Sequence, residues 1–423
     1  MKQVLTLEKE KKTDWKLYLL IFLIIYISKD TLFWGTNIIK IYTRIAELVT
    51  FFWFVYFGIK YLSGKNRNKL NNSSFTIIGL MLLCVLVSSI VNGFNIWVLI
   101  RISTILGGVF LACIIPREKF FSCYENIMVF IAGFSIGSLI VNVISSGIIH
   151  LFPIIVNNTS LAFFNLIFTV IPLDDYFRLF GPFREPGVFI VFLSVAILSH
   201  FLRNERVVVW KLVLLIAALI LTFSTTGYIT LGSLMIFYIL KNRGRLKGNN
   251  ILFILLFTAA LFFLWTRTDI LSNEGDVFSK LEDISRASTI SRFGSIYANI
   301  QIFLENPILG VGGNLSDLFP KYCLSILGFE SEHNTNTILI QFATFGVLYG
   351  LLFFWGFYKF LRSWCSPLLC VWGGITIFLM FSGENLSESL LPYYIIGYGL
   401  NSVSLSNKEI AKSTQQTEVK CKL

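Results

Sequence analysis

Residues Arg178–Gly187 read RLFGPFREPG and run straight into Val188–Leu202, VFIVFLSVAILSHFL. This join decides the fold. An apolar run opened by a proline and a glycine is a helix entering a bilayer, and two arginines and a glutamate stand at its mouth. Cations placed there give up hydration, which is tolerated for a binding site or for a buried ion pair.

Working outward, the apolar pattern repeats along the chain. The 423 residues are 55% hydrophobic and 14% charged, with a mean hydropathy of +0.73, more apolar than a soluble domain of this length requires. The net charge of +11 would suggest nucleic acid in a soluble chain, but here its placement matters more than its sum, and no nucleic-acid partner is expected. Spans are expected at Leu17–Ile27, Tyr42–Leu62, Phe75–Val91, Ile96–Ile115, Ile127–Ile149 and Val188–Leu202. Further spans are expected at Val207–Phe223, Gly227–Leu240, Ile251–Thr266, Thr335–Phe357, Leu368–Phe381 and Leu390–Asn401. The expected fold is all-α, a single polytopic membrane domain over residues 1–406 with roughly 12 transmembrane helices, followed by a polar, disordered tail at 407–423. The first run follows a Lys-rich leader without a small-residue cleavage site and is read as a retained span.

Charge placement tests this drawing independently. Basic residues fall in alternate loops, among them Lys65, Arg117, Arg203, Lys241, Lys359 and the Lys-rich ends of the chain, which makes that side and both termini cytoplasmic. The opposite, outer side carries 150–187 and a long acidic segment, 267–334, between the ninth and tenth spans. Within these, Leu161–Pro172 is apolar but too short to span and is expected to form an interfacial or re-entrant helix. Ile290, Phe293, Tyr297, Ile300 and Leu304 recur at helical spacing and predict a surface helix ending at Asn306–Pro307. The ILGVGGN that follows is an irregular turn without the spacing of a dinucleotide fingerprint. The cysteines offer no outer pair for a disulfide and no C-x-x-C spacing.

The outer segments hold the candidate chemistry. Arg178 and Arg184 can grip phosphate oxygens bidentately, and a helix starting at Pro186 adds its positive dipole end. The plainer account pairs them with Glu185, Asp174 or Asp175, or with lipid headgroups. Arg101, two turns into the fourth span, must face the bundle interior or a water-filled cavity, for function or for structural pairing. Arg44 is explained by Glu47 one turn away, whereas Lys60 and Lys211 snorkel and are given no role. His333, in SEHNTN beside Glu330, Glu332 and Asn334, suits proton transfer, although a lone histidine is more often structural. His150 and His200 lie at helix ends without a polar cluster. No metal and no cofactor are expected, because no histidine pair has metal-binding spacing.

Taken together, R-x-x-G-x-F-R-E-P-G before a span, Arg292 in an amphipathic segment, NPILGVGGN, and EHN opening a span that continues ILIQFATFGVLYG resemble the O-antigen polymerase (Wzy) and O-antigen ligase superfamily. The resemblance covers about Arg178–Gly350, and its specificity lies in the order of loose motifs. It implies a metal-independent, inverting glycosyltransferase of the bacterial inner membrane, whose donor is an oligosaccharide on undecaprenyl pyrophosphate. It further implies that Arg178, Arg184 and Arg292 hold the pyrophosphate and that His333 lies beside the acceptor. Arg101 and Asn334 complete the expected substrate contacts, and Glu185 or His333 is the expected catalytic base. Glu185 departs from the family pattern, in which a neutral residue is common, and leaves open which arginine is the main phosphate contact. The expected activity is polymerisation of repeat units into O-antigen or capsule on the outer face, with a chain-length regulator protein as a possible partner. A ligase acting on a lipid acceptor and a lipid-linked oligosaccharide flippase are the alternatives.

Overall fold

The computed structural model describes residues 14–28, 30–32, 41–64, 70, 72–156, 161–173, 178–203, 208–242, 287–328 and 334–401, without the side chains of 41–47, 287–291 and 327. The expected ninth span, the tail expected to be disordered, and 267–286 and 329–333 of the acidic segment, His333 among them, lie outside the described residues.

Helices α1 (Trp15–Tyr26), α2 (Ile41–Ser63), α3 (Asn72–Val91), α4 (Trp97–Ile114), α5 (Arg117–Ile144) and the single turn α6 (Ser146–Ile149) come first. Strands β1 (Ile154–Val156), β2 (Ala162–Asn165) and β3 (Val170–Pro172) follow, then α7 (Pro186–Arg203), α8 (Val209–Ile220) and α9 (Thr225–Lys241). The carboxy-terminal elements are α10 (Ala287–Glu305), α11 (Leu315–Leu327), α12 (Thr337–Arg362), α13 (Pro367–Ser382) and α14 (Leu390–Asn401). Among the described residues, α3, α4, α5, α7 and α12 are long and apolar enough to cross a membrane, and α1, Leu48–Ser63, α8 and α13 are shorter apolar helices. The chain is a helical membrane protein.

Its centre is α7, buried at every position from Pro186 to Leu202. A helix apolar on all sides belongs inside a bundle rather than at its rim. Close crossing elsewhere depends on small residues: a Cβ on Gly108 would collide with the Tyr393 backbone of α14. The fifth helix starts ten residues before the expected Ile127. Pro116 ends α4 and supplies the residue before α5, so Arg117 and Lys119, read as loop, occupy a first helical turn.

Residues 161–172 do not form the expected helix. They build β2 and β3 of a three-stranded antiparallel sheet, with Phe163 opposite Pro172 and Ile155 opposite Phe163. The short run places Phe163 and Phe164 on opposite faces, one packed with Leu32, Val170 and Phe180, the other with Ile149, Leu166 and Ile171. Two packed faces favour a strand, and Asn165 closes the turn by accepting the Ile167 N–H at 3.2 Å.

The amphipathic α10 forms as its spacing predicts and gives way to 306–311. That segment docks into a break in α12, where Gly346 has φ 79°. The Val311 N–H donates to the Ala343 carbonyl at 2.9 Å and the Val347 N–H to the Pro307 carbonyl at 2.8 Å. Ser88 donates to the Thr344 carbonyl at 3.1 Å, so the opened turn keeps its backbone partners.

One reading of the basic residues needs correction. His200 and Lys211 are members of a buried cluster rather than isolated helix-end groups. Glu125 of α5 meets His200 at 3.0 Å, Lys211 at 3.3 Å and Arg203, and Lys211 also reaches Asn126 at 2.6 Å. Periodicity within one span did not reveal that α5, α7 and α8 converge here.

Candidate functional site

The site is assembled at the other end of the bundle, from segments far apart in sequence. Gly181 adopts φ 57° and turns the chain so that 182–184 lies alongside 30–32. Leu32 N–H donates to the Pro182 carbonyl at 2.9 Å and Arg184 N–H to the Asp30 carbonyl at 3.2 Å, with a bridge between Thr31 and Phe183. This pairing fixes Arg184 immediately before α7. Its guanidinium donates to the Asn385 carbonyl at 3.2 Å and lies 3.9 Å from Glu185. Burial would lower its pKa, but the surrounding Glu185, Glu384, Asp30 and Glu388 raise it and hold the cation.

Arg178 and Arg292 converge on the link between α8 and α9. Arg178 Nε donates to the Thr222 carbonyl at 3.1 Å and Arg292 Nη1 to the Thr225 hydroxyl at 3.2 Å. Between these threonines Phe223 takes φ 48°, an unusual conformation for an aromatic residue, which marks the link as a constrained part of the site. The sequence brought these arginines into one candidate set; the structure brings them to one end of the molecule.

The keystone is the connection between α13 and α14, 383–389, reading GENLSES. Thr337 at the start of α12 donates to the Glu384 carbonyl at 2.5 Å and accepts the Leu386 N–H at 2.8 Å. Ser389 donates to Asp30 at 2.6 Å. Arg101 reaches the Ser387 carbonyl and the Tyr393 hydroxyl, the latter at 2.8 Å, and lies under Trp97, whose ring N–H donates to Glu388. Arg101 therefore faces the interior, as its depth required, and its observed partners tie α4 to this connection.

Glu384 is only 5% exposed, and its carboxyl occupies the space that a Cβ on Gly187 would need. Burial first, and then the neighbouring Glu185 carboxylate, push its acid up to about 8 against the opposing pull of Arg184 and Arg292. Glu384, Glu388 and Asp30 were not singled out from the sequence. The available signal was the alternation of loops, which places 383–389 on the same side as 150–187.

Asn334 is half-buried and exchanges hydrogen bonds with Asn299 of α10 at 2.8 and 3.1 Å. It joins α10 to the mouth of α12. The geometry thus offers fixed guanidinium groups for an anion, interleaved with carboxylates able to take a proton. In comparisons with known proteins, no family model matches this chain and no curated protein matches it.

Proposed function

We propose that this protein is a metal-independent glycosyltransferase of the bacterial inner membrane that polymerises undecaprenyl-pyrophosphate-linked oligosaccharide repeat units at the outer face. The observation that carries the reading is the convergence of Arg178, Arg184 and Arg292 at one end of a membrane bundle, beside Glu185 and the buried Glu384. A sugar pyrophosphate needs its leaving charge stabilised, and guanidinium groups at a low-dielectric mouth supply this without a metal. The acceptor hydroxyl attacks the anomeric carbon from the face opposite the pyrophosphate. Its O–H bond breaks to a carboxylate base as the new C–O bond forms. The bond to the pyrophosphate oxygen breaks with its electron pair held by the arginines, and the anomeric configuration inverts.

Basic residues at the far end of the bundle, Arg117, Arg203, Lys241, Lys359 and Arg362, support an orientation with that end cytoplasmic. The test is surface-glycan profiling of a deletion strain complemented with wild type, Arg184→Ala and Arg292→Ala at matched protein levels. Loss of long polymer with single repeat units retained is the expected result for both variants. Normal polymer from both would overturn the reading, and long chains left unattached in the deletion strain would point to a ligase.

A further inference from the structure

We propose that the outward ridge of α10, formed by Phe293, Tyr297, Ile300 and Leu304, seats the polyprenyl chain of the donor, which runs along it from the pyrophosphate held at Arg292. The identity of the ligand rests on the glycosyltransferase reading; its place rests on how α10 is built.

The helix is inverted relative to one on a water-facing surface. Its inner face is partly polar, with Ser295 and Asn299 fully buried beside Ala298 and Ile302. Asn299 donates to the Ser295 carbonyl at 2.6 Å as well as pairing with Asn334, and the Thr335 N–H donates to the Ser295 hydroxyl at 3.2 Å. The outer face carries the large apolar side chains. Phe293, Tyr297 and Leu304 are each more than half exposed and Ile300 is 38% exposed, and their alternating four- and three-residue spacing stacks them into one ridge. Amides inside and an apolar ridge outside mark a helix whose outer face meets hydrocarbon. Yet α10 is not among the helices apolar enough to cross a membrane. It therefore lies at the bilayer boundary, ridge inward to the lipid. Its polar flank carries Gln301, which donates to Glu305 at 3.1 Å, and Glu305 also takes a hydrogen bond from Tyr322 of α11.

The start of the ridge says what occupies it. Arg292 donates to the Thr225 hydroxyl, so a guanidinium of the site and the first ridge residue are neighbours in the chain. A pyrophosphate gripped there is covalently bound to a hydrocarbon chain, which has to leave the polar site without exposing its methylenes to water. The adjoining apolar surface is this ridge. From Phe293 to Leu304 it rises about 16 Å along the helix axis, long enough to hold a stretch of chain rather than its first few carbons. Phe303, on the ridge flank, meets Phe342 of α12 at 5.5 Å and joins the ridge to a membrane span.

The test uses the full chain in lipid nanodiscs with undecaprenyl pyrophosphate that carries a photoreactive diazirine in its prenyl chain, so that no sugar transfer is needed. Labelled residues are mapped by mass spectrometry with and without excess unlabelled undecaprenyl pyrophosphate. Label is expected at Tyr297 and Leu304, removed by the competitor and lowered severalfold by Arg292→Ala. Label on Leu83 and Ile90, exposed on the span α3, should be unaffected by either. Label on α10 that the competitor leaves in place means bulk lipid on the ridge and overturns the proposal. An unlabelled ridge, covered by water or by a protein partner, overturns it equally. If competed label appears elsewhere on the chain and not on α10, this inference alone fails; if no competed label appears anywhere, the lipid-linked donor and the glycosyltransferase reading fail with it. A second measurement compares polymerisation from donors of undecaprenyl and of short prenyl length. Tyr297→Ser combined with Leu304→Ser, at matched protein levels, should raise the KM for the long-chain donor about tenfold relative to that for the short one. An equal change for both donors, or none, overturns the proposal.

Discussion

At the scale of single residues, the site depends on atoms that are missing as much as on those present. Gly187 leaves the slot for the Glu384 carboxyl, so Gly187→Ala must displace a buried acid. Overpacking of this kind costs about 1–3 kcal/mol. The expected outcome is a lower melting temperature in detergent together with loss of long polymer, whereas Gly137→Ala, with open space around it, should change neither. The sign of the pH dependence follows from the same acid. Its pKa is raised on folding, so its stabilising contribution is complete at acidic pH and is lost as the pH climbs through about 8. Thermal unfolding across that range should show the decline in wild type and a flatter curve in Glu384→Gln. Arg101 acts through the Ser387 carbonyl and the Tyr393 hydroxyl; Arg101→Met should loosen the 383–389 connection, measured as faster proteolysis there and reduced polymer.

At the scale of elements, the cluster of Glu125, His200, Arg203 and Lys211 joins α5, α7 and α8 at the end remote from the site. Removing one member of a buried ion network leaves uncompensated charge, so Glu125→Gln should cost about 3–5 kcal/mol. Adding Lys211→Met to it should restore part of the loss, read as melting temperature. These elements also show what sequence could and could not convey. Hydropathy located eleven described helices, ten of them with ends within about five residues of those found and α5 starting ten residues earlier, because long apolar runs have few alternatives in a bilayer. It misread Leu161–Pro172 because an apolar dozen residues suits a helix or two strands equally. The choice was made by Leu32, Ile149 and Phe180, which arrive from elsewhere to cover both faces. Glu384 was overlooked for the same reason: beside its own neighbours it is one acid in a polar link, and only folding sets it against Gly187.

At the scale of the whole molecule, the alternation of helices places every element of the candidate site at one end and the basic helix ends at the other. A topology test follows directly. Ser316→Cys should react with a membrane-impermeant thiol reagent on intact spheroplasts, and Glu118→Cys only after permeabilisation; both positions are exposed. The reverse pattern would put the arginine site in the cytoplasm and remove the outer-face polymerase from consideration.

The break in α12 gives the molecule a long mechanical reach. Because 307–311 is stitched into the opened turn at Ala343 and Val347, α10 and α12 are joined at the break that Gly346 makes. Arg292 sits on α10, which Asn299 also ties to Asn334. Gly346→Ala, strained by its positive φ and obstructed by the Ile308 carbonyl, should cost at least about 1 kcal/mol. Its more telling effect should appear at a distance: a raised KM for the lipid donor from a residue that touches no part of the site. A grip on the substrate would then be tensioned from within the bilayer, as a string is tuned from the peg rather than from the point where it is played.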